Sequence, residues 1–350
     1  MNAFLTPPVY GNTDHSVLSL NEPYLGEYSI YISVPFCVGK CRSCPFYKTS
    51  VPQVNLKQEI NKYIKVIKSR ISQLAYFDRY KRAKCTAIYL GGGTASLLDF
   101  NIVNDLIQFL RQHFILDANC EITLEGNPID FTSEYLGNIT QVTRVSIGLQ
   151  SLEENTLKII GTRHNAEQSN NIIQRKFDTF KIINIDFIYA IMDSESPKTE
   201  HLLKVINQGF NSITLYRYDS ATHSVDKQKA WESYLKYKEI LTTHNFKEKM
   251  FGFFTKNYIN IYNENLINAK EMIGFGPGSY GFINDYMIKF KNDYEAYLGA
   301  CCFITHRSNH PNKQMRLDVF NILCHPDINL RSRIAARMGI TEKLEGYPYF

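Results

Sequence analysis

The sequence predicts an α/β protein, an open (β/α)6 partial barrel followed by a small α+β C-terminal extension. Six short apolar runs recur between residues 28 and 216, and helices or turns separate them, which is the pattern of parallel βα units. Polar, glycine-rich or cysteine-containing segments come directly after these runs, where parallel barrels place their chemistry. The 350 residues, 44% of them hydrophobic, suffice for one large domain or for one large and one small domain.

Each element of the barrel is predicted by a local pattern. The first strand covers about 28–35, and the stretch 54–80 predicts a helix because apolar residues recur at intervals of three and four. The remaining strands are expected at 86–90, 121–124, 144–148, 182–189 and 212–216, with helices at about 99–113, 166–177 and 226–244. Later features are strand-like pieces at 250–254 and 258–262, a glycine-rich turn at 274–281 and a helical tail at 313–350.

These elements divide the chain into three parts: a lead-in over 1–25, the barrel over 26–225, and a region over 226–350 that completes the cover of the active site. No run of 18 apolar residues predicts a membrane span, and the N-terminus has no secretory signal pattern. The net charge of +5 comes from scattered basic residues, so no nucleic-acid partner is expected. Eight cysteines are too few for a disulfide scaffold, and reduced thiols favour a cytoplasmic location.

Three cysteines follow the first strand at Cys37, Cys41 and Cys44, with the spacing C-x3-C-x2-C. Three thiolates on a tight loop can hold three irons of a [4Fe–4S] cube and leave the fourth iron open to another ligand. A zinc site that waits for a fourth ligand, or an incidental group of thiols, are the alternatives. The spacing favours the iron–sulfur cluster because structural zinc sites prefer paired C-x2-C knuckles.

Two further segments stand at strand ends. The segment Gly91-Gly92-Gly93-Thr94 is either a ligand-binding loop or a tight βα turn, because glycine permits both unusual backbone angles and close ligand approach. Asp186 lies inside an apolar strand, where an acid is costly unless it is paired or at the barrel mouth, so a functional role is favoured.

These segments together resemble the radical S-adenosylmethionine (SAM) superfamily. The string Tyr31-x3-Pro35-Phe36-Cys37 is similar to the branch of the oxygen-independent coproporphyrinogen III oxidases, which also includes the class C radical SAM methyltransferases. The segment GGGTASLL at 91–98 resembles the family's GGGTPSLL, with Ala95 in place of proline. LEGNP at 124–128, SIGLQS at 146–151, GTRH at 161–164 and NIDFIYAI at 184–191 resemble the branch's EANP, GVQS, GRxH and NVDLIYGL. The resemblance covers about residues 28–285.

The resemblance implies a [4Fe–4S] cluster on the three cysteines and a bound SAM. The glycine loop would contact the SAM amino group, Glu125 would accept hydrogen bonds from the amino group or ribose, and Arg163 would pair with the carboxylate. Outside the resemblance, Glu125 could equally cap a helix and Arg163 could form a surface salt bridge. The expected SAM contacts are Tyr31, Gly91, Gly92, Gly93, Thr94, Glu125, Gln150, Arg163 and Asp186. A second SAM is placed beside Tyr218, Asp219, Gly276, Gly278 and Tyr280.

Departures from the branch narrow the expected reaction. Phe46 stands where the oxidases carry a further cysteine, and Ser33 stands where they carry histidine. The segment 255–258 reads TKNY, without the histidine and tryptophan of the branch's heme chaperones. We therefore expect an enzyme that cleaves SAM to a 5′-deoxyadenosyl radical for methyl or alkyl transfer to an organic substrate. The alternatives are decarboxylation of the coproporphyrinogen oxidase type and a non-catalytic heme chaperone.

The expected partners are a small-molecule substrate and a reductant such as flavodoxin or ferredoxin, with no nucleic acid and no membrane. Cys85 and Cys120 are expected to be buried small hydrophobes. A second metal site at Cys301, Cys302 and Cys324 is only weakly indicated, because proximity of soft ligands in sequence is weak evidence.

Overall fold

The computed structural model describes residues 19–39, 41–42, 44, 46–175, 177, 179–190, 198–218, 226–284, 286–299 and 303–307. Six strands form the barrel wall: β1 (Glu27–Val34), β2 (Lys84–Gly92), β3 (Ile115–Gly126), β4 (Arg144–Gln150), β5 (Ile182–Tyr189) and β6 (Ser212–Arg217). Each pairs in parallel with the next along the chain. The predicted α/β class and its order of parallel strands are therefore confirmed.

Helices pack against this wall. They are α1 (Leu56–Ala75), α2 (Phe100–His113), α3 (Ser133–Asn138), α4 (Glu154–Ile160), α5 (Ala166–Ile173), α6 (Thr199–Asn207), α7 (Lys227–Thr243), α8 (Ile261–Ile267) and α9 (Tyr294–Leu298). Of these, α8 lies against the inner side of β1 and β2. None of the helices in the described part of the chain is long and apolar enough to cross a membrane.

The predicted helix boundaries hold where a local cap sets them. α2 begins after Asp99, whose carboxylate accepts the backbone N–H of Asn101 at 2.8 Å, as an N-cap residue should. α1 is shorter than the predicted 54–80. It ends at Ala75 because the N–H of Arg79 donates to the carbonyl of Leu20 at 2.9 Å, outside the helix.

The C-terminal region extends the same sheet on both sides. Its strands are β7 (Lys247–Met250), β8 (Phe253–Thr255), β9 (Glu271–Phe275), β10 (Tyr280–Ile283), β11 (Tyr286–Phe290) and β12 (Phe303–Arg307). The order is β12-β11-β10-β9-β1-β2-β3-β4-β5-β6-β8-β7, and β9 is parallel to β1. The two end strands, β12 and β7, do not pair with each other among the described residues, so the barrel is open as predicted.

Two late predictions differ from the structure. The piece 250–254 spans the turn of the β7–β8 hairpin, and the strand expected at 258–262 is wrong because α8 begins there. Asn260 caps this helix through the N–H of Asn263 at 2.9 Å, and Glu121 of β3 accepts the N–H of Ile261 at 3.0 Å. A buried carboxylate at a helix N-terminus outweighs the β propensity of the aromatic residues. The tail 313–350 lies outside the described residues.

A buried ion pair ties the C-terminal strands to the barrel. Arg79 donates Nε–H to Glu271 of β9 at 3.2 Å and makes a second contact to the same carboxylate, with both side chains nearly inaccessible to solvent. Tyr80 donates to Glu271 at 2.9 Å, and Arg79 also reaches the carbonyl of Ser19 at 3.2 Å. This network fixes β9 against β1 and against the lead-in segment.

Removing Glu271 should therefore destabilise the whole sheet. In Glu271→Leu the Arg79 guanidinium stays buried without its partner, which should cost about 3 kcal/mol in the free energy of unfolding. Urea unfolding followed by circular dichroism measures the loss. The control is Lys81→Met, which removes an exposed pair with Asp78 and should cost less than about 1 kcal/mol. Equal losses in the two variants would contradict the role of the buried pair.

Candidate functional site

The cysteine loop leaves the carboxyl end of β1 and is fastened at both ends. Phe36 is fully buried, and its ring meets Tyr63 and Tyr294 edge-on at 5.5 Å. The N–H of Thr49 donates to the carbonyl of Pro35 at 2.7 Å, which closes the loop. On the far side, the N–H of Arg42 donates to the carbonyl of Ile160 at 2.9 Å. The loop therefore has a fixed position at the mouth of the barrel.

The three thiols of this loop are free and partly exposed. Burial raises the pKa of Cys41, and the thiols of Cys44 and Cys37 raise it further. Within the described residues, no group of three His, Cys, Asp or Glu side chains is arranged to hold a single metal ion. Three unpaired thiols on one loop are the donor set that an iron–sulfur cube uses, with each thiolate on a different iron. The residues present therefore fit such a cluster.

The glycine segment packs the end of β2 against this loop. A Cβ added at Gly93 would lie 2.6 Å from the carbonyl oxygen of Phe36, and the Gly93 N–H donates to Val34 at 2.8 Å. Gly92 has φ +110°, which favours glycine. A Cβ at Gly91 would lie 2.5 Å from Oε2 of Glu125. The absence of side chains here lets β1, β2 and Glu125 approach one another.

Thr94 completes the contact between the two predicted segments. Its Oγ1 lies 3.1 Å from the sulfur of Cys37, and the Thr94 side chain is buried. The cluster loop and the glycine loop, predicted separately from the sequence, thus touch through a side-chain hydrogen bond.

Two predicted acids, Glu125 and Asp186, face the barrel interior near this junction. Burial raises the pKa of Glu125 to about 8, and repulsion from Asp186 adds to the effect, while Arg144 and the Gly92 backbone oppose it. Burial likewise raises the pKa of Asp186 to about 6. Asp186 accepts a hydrogen bond from Asn184 at 2.7 Å, so it has a fixed orientation in the barrel.

Arg144 is a residue that the sequence reasoning missed. It stands on β4 with 2% exposure, its Nη1 reaches Thr123 at 3.5 Å, and its Nε has no partner among the described residues. It is the cation that offsets Glu125 and Asp186 inside the barrel. Arg144 is a charge at the first position of an otherwise apolar strand, a weaker form of the signal that identified Asp186 inside β5.

Tyr31 lies in a group of aromatic rings on the inner side of β1 and β2. Its ring stacks on Tyr89 with centroids 5.9 Å apart, and Tyr89 in turn meets Tyr262 of α8 at 4.9 Å. Burial and then the charge of Glu125 raise the pKa of Tyr31, so its hydroxyl stays protonated at neutral pH. Tyr31 therefore lies close enough to Glu125, another expected SAM contact, to feel its charge.

Arg163 makes a bidentate pair with a residue that the sequence reasoning did not name. Its Nη1 and Nη2 lie 3.1 and 3.2 Å from the carboxylate of Asp130, which also accepts the hydroxyl of Ser96 at 2.7 Å. A ligand carboxylate at Arg163 would have to share the guanidinium with Asp130. Sequence spacing gives no signal for this pair, because the two residues lie on different loops 33 positions apart.

The glycine turn after β9 is close to the cluster loop, but its own chain fills the space. A Cβ at Gly276 would lie 2.5 Å from the carbonyl oxygen of Ser33, and one at Gly278 would lie 2.8 Å from Cβ of Tyr47. Ser33 donates its hydroxyl to the carbonyl of Pro277 at 3.0 Å. Both glycines, at φ +98° and +73°, are thus accounted for by packing within the protein.

Two of the remaining residues assigned to a second SAM, Tyr218 and Tyr280, have different surroundings. Tyr218 is buried, and its hydroxyl lies 3.5 Å from the carbonyl of Ile159 in α4. Tyr280 is 41% exposed. Asp219 lies outside the described residues, as do Cys301, Cys302 and Cys324, so the structure adds nothing on a second metal site there.

Alanine at any one of Cys37, Cys41 and Cys44 should abolish the cluster, because the other thiols in the described part of the chain, Cys85 and Cys120, are buried in the hydrophobic core. Reconstituted wild-type protein should hold about four irons per chain, as expected for one cube. Iron analysis and the visible absorption of the cluster measure the loss. The control is Cys120→Ala, a buried thiol of β3 that should leave the iron content unchanged. Full iron in Cys41→Ala would refute the assignment.

Comparison with known proteins identifies a family match and several relatives of this chain. The family model of the Radical SAM superfamily matches residues 31–203. The chain is 27% identical over 282 residues to the heme chaperone HemW of Buchnera aphidicola subsp. Acyrthosiphon pisum, covering 74% of this chain and 71% of the relative. It is 26% identical over 291 residues to the heme chaperone HemW of Lactococcus lactis, covering 78% and 74%.

A solved structure supports the fold. Coproporphyrinogen III oxidase (HemN) from Escherichia coli superposes with a TM-score of 0.75 at 16% identity, covering 95% of this chain and 86% of that one. A likeness at this identity concerns the fold. The cysteine loop, the glycine segment and the family match agree: residues 31–203 match the radical SAM superfamily, and the chain is similar in sequence to HemW and in fold to HemN.

Proposed function

We propose that this protein is a heme chaperone of the radical SAM type, which binds a [4Fe–4S] cluster and SAM at the carboxyl edge of its barrel. The observation that carries the proposal is the similarity to two proteins named heme chaperone over about three quarters of this chain. The likeness to the oxidase supports only the fold, since the identity is 16%.

The residues at the mouth have the chemistry that this proposal needs. Three free thiols would bind the cluster. Glu125, which lies against the backbone of Gly91, would accept a hydrogen bond from the amino group of SAM. When bound there, the cluster would supply an electron for reductive cleavage of the SAM sulfonium. The protein keeps the two aligned: it holds the loop through Phe36 and Thr94 and surrounds Glu125 with buried groups.

Methyl or alkyl transfer with two SAM molecules is the less supported function. It requires Gly276 and Gly278 to give a second nucleoside close approach to the backbone. Protein atoms of Ser33 and Tyr47 already occupy those positions. The matched relatives reported above are named as chaperones rather than methyltransferases.

The segment 255–258 sets a condition on the chaperone function. It lacks the histidine that the resemblance associates with heme binding, and β8 ends within it, at Thr255. Heme would therefore have to be held by other residues of this chain. Direct measurement of heme binding is consequently the decisive test.

Anaerobically reconstituted protein should bind heme, seen as a saturable Soret band on titration with one heme per chain. A triple Cys37→Ala, Cys41→Ala, Cys44→Ala variant is the matched control for the contribution of the cluster. The same preparation, given a reductant and SAM with a deuterated methyl group, should transfer no label. Label in a product together with S-adenosylhomocysteine would replace the chaperone function with methyl transfer. Vinyl formation from coproporphyrinogen III would instead favour the oxidase reaction.

The affinity for SAM should increase with pH up to about 8. Below that pH the free protein holds a proton on Glu125, because its pKa is raised to about 8, and binding of the SAM ammonium must release it. The dissociation constant should therefore fall by up to about tenfold per pH unit between pH 6 and 8 and then level off. Calorimetry in buffers of different ionisation enthalpy measures the proton released. Glu125→Gln is the control and should bind weakly with no such slope; an unchanged slope would show that another group titrates.

A further inference from the structure

The end of β4 carries a strained turn at Gln150. The register with β5 shifts between Ile147 and Gln150, which marks an irregularity in the ladder. Gln150 has φ +64°, and the N–H of Ser151 donates to the carbonyl of Leu149 at 2.7 Å. A hydrogen bond from residue i+2 to residue i around a positive φ defines the rare, strained form of the γ-turn. Glycine would adopt this backbone without strain, yet the residue is glutamine.

The side chain of Gln150 explains why a strained residue is useful here. Its Oε1 is buried and has no hydrogen-bond partner among the described residues. Its Nε2 lies 3.0 Å from the position of a Cβ on Gly148, so the amide lies over a residue that has no side chain. The turn therefore leaves a buried amide oxygen as an unused acceptor at the carboxyl edge of the barrel, and a ligand with an N–H or O–H group could satisfy it.

His164 holds this turn from the neighbouring loop. Its Nε2 lies 3.0 Å from the carbonyl oxygen of Leu149, the same oxygen that accepts the γ-turn hydrogen bond. The ring is 3% exposed, and the hydroxyl of Thr162 donates to the His164 carbonyl at 2.8 Å, which fixes the loop. Because a carbonyl only accepts, the proton must be on Nε2. Burial lowers the pKa of His164, which keeps the ring neutral at pH 7.

We propose that His164 is a positioning residue: its hydrogen bond to Leu149 holds the strained turn so that the amide oxygen of Gln150 accepts a hydrogen bond from an amino or hydroxyl group of bound SAM. This rests on the proposed binding of SAM and assigns a role to a histidine that touches no ligand. The two residues have different roles. Gln150 contacts bound SAM, and His164 holds the backbone turn that orients the Gln150 side chain.

Three variants test the two roles. His164→Leu removes the donor and should weaken SAM binding about tenfold, as for loss of one buried hydrogen bond. His164→Gln places an amide N–H at a similar reach and should recover most of the affinity. Gln150→Gly relieves the strain but removes the acceptor, so it should raise the melting temperature while it weakens SAM binding. Anaerobic calorimetry with SAM and thermal unfolding without SAM give the two readouts.

The control is His113→Leu, which changes a histidine at the end of α2 far along the chain from the site and should leave SAM affinity unchanged. Without ligand, the melting temperature is measured for His164→Leu, Gln150→Gly and the double variant, which together form a double-mutant cycle. Loss of His164 should cost less in the Gln150→Gly background, because no strained turn remains to be held.

The outcomes separate this inference from the proposed function. If wild-type protein binds no SAM, the proposed function fails, and the melting cycle alone decides whether His164 holds the turn. If wild-type binds SAM and His164→Leu and Gln150→Gly bind it equally well, the inference fails while the function stands. If the changes in melting temperature caused by His164→Leu and Gln150→Gly simply add in the double variant, the inference is also overturned. Should His164→Leu not fold, His164→Gln and Gln150→Gly still decide the question.

Discussion

The close approach of β1 and β2 at their carboxyl ends is the constraint on which the site depends. Gly91, Gly92 and Gly93 have no side chains, so the backbone of the cysteine loop and the carboxylate of Glu125 can both touch the end of β2. The hydrogen bond from Gly93 to Val34 joins the two strand ends at 2.8 Å. Any larger residue would separate the cysteines from the carboxylate. The distance between the two halves of the proposed site is thus set by the backbone.

Charge balance inside the barrel is the second constraint. The buried guanidinium of Arg144, the buried carboxyl of Asp186 and the half-buried carboxyl of Glu125 give the interior a small net charge. This charge depends on protonation, since Glu125 has a pKa of about 8 and Asp186 of about 6. The positive charge of Arg144 lowers the pKa of both carboxyls. The cost of burying it without close ion pairs is tolerated because the rest of the barrel is tightly packed and hydrogen-bonded. A cationic ligand at the mouth would complete the balance.

Most of the fold was predictable from the sequence because the strands are short apolar runs with polar ends, and β5 even has the predicted bounds. The strand expected at 258–262 was wrong because a long-range contact, Glu121 to the N-terminus of α8, decides that segment. The gathering of Tyr31, Gly91, Glu125 and Asp186 followed from the parallel strand order. The pairing of Arg163 with Asp130 could not be predicted, since it depends on how two loops meet in space. The γ-turn at Gln150 had no signal either, because only glycine or asparagine would have suggested a positive φ.

The pairing of β9 with β1 has a consequence for biosynthesis. β1 carries the cysteine loop, and its second edge is covered only by residues 271–275, which leave the ribosome long after the loop itself. Until then the first strand of the nascent chain is an edge strand, open to pairing with other chains. Metal delivery to a loop held partly by Tyr294 must likewise follow translation of that residue. The cofactor is therefore assembled late, after most of the chain has been translated. A chain that stops before residue 271 would carry the cysteine loop on a sheet that lacks β9.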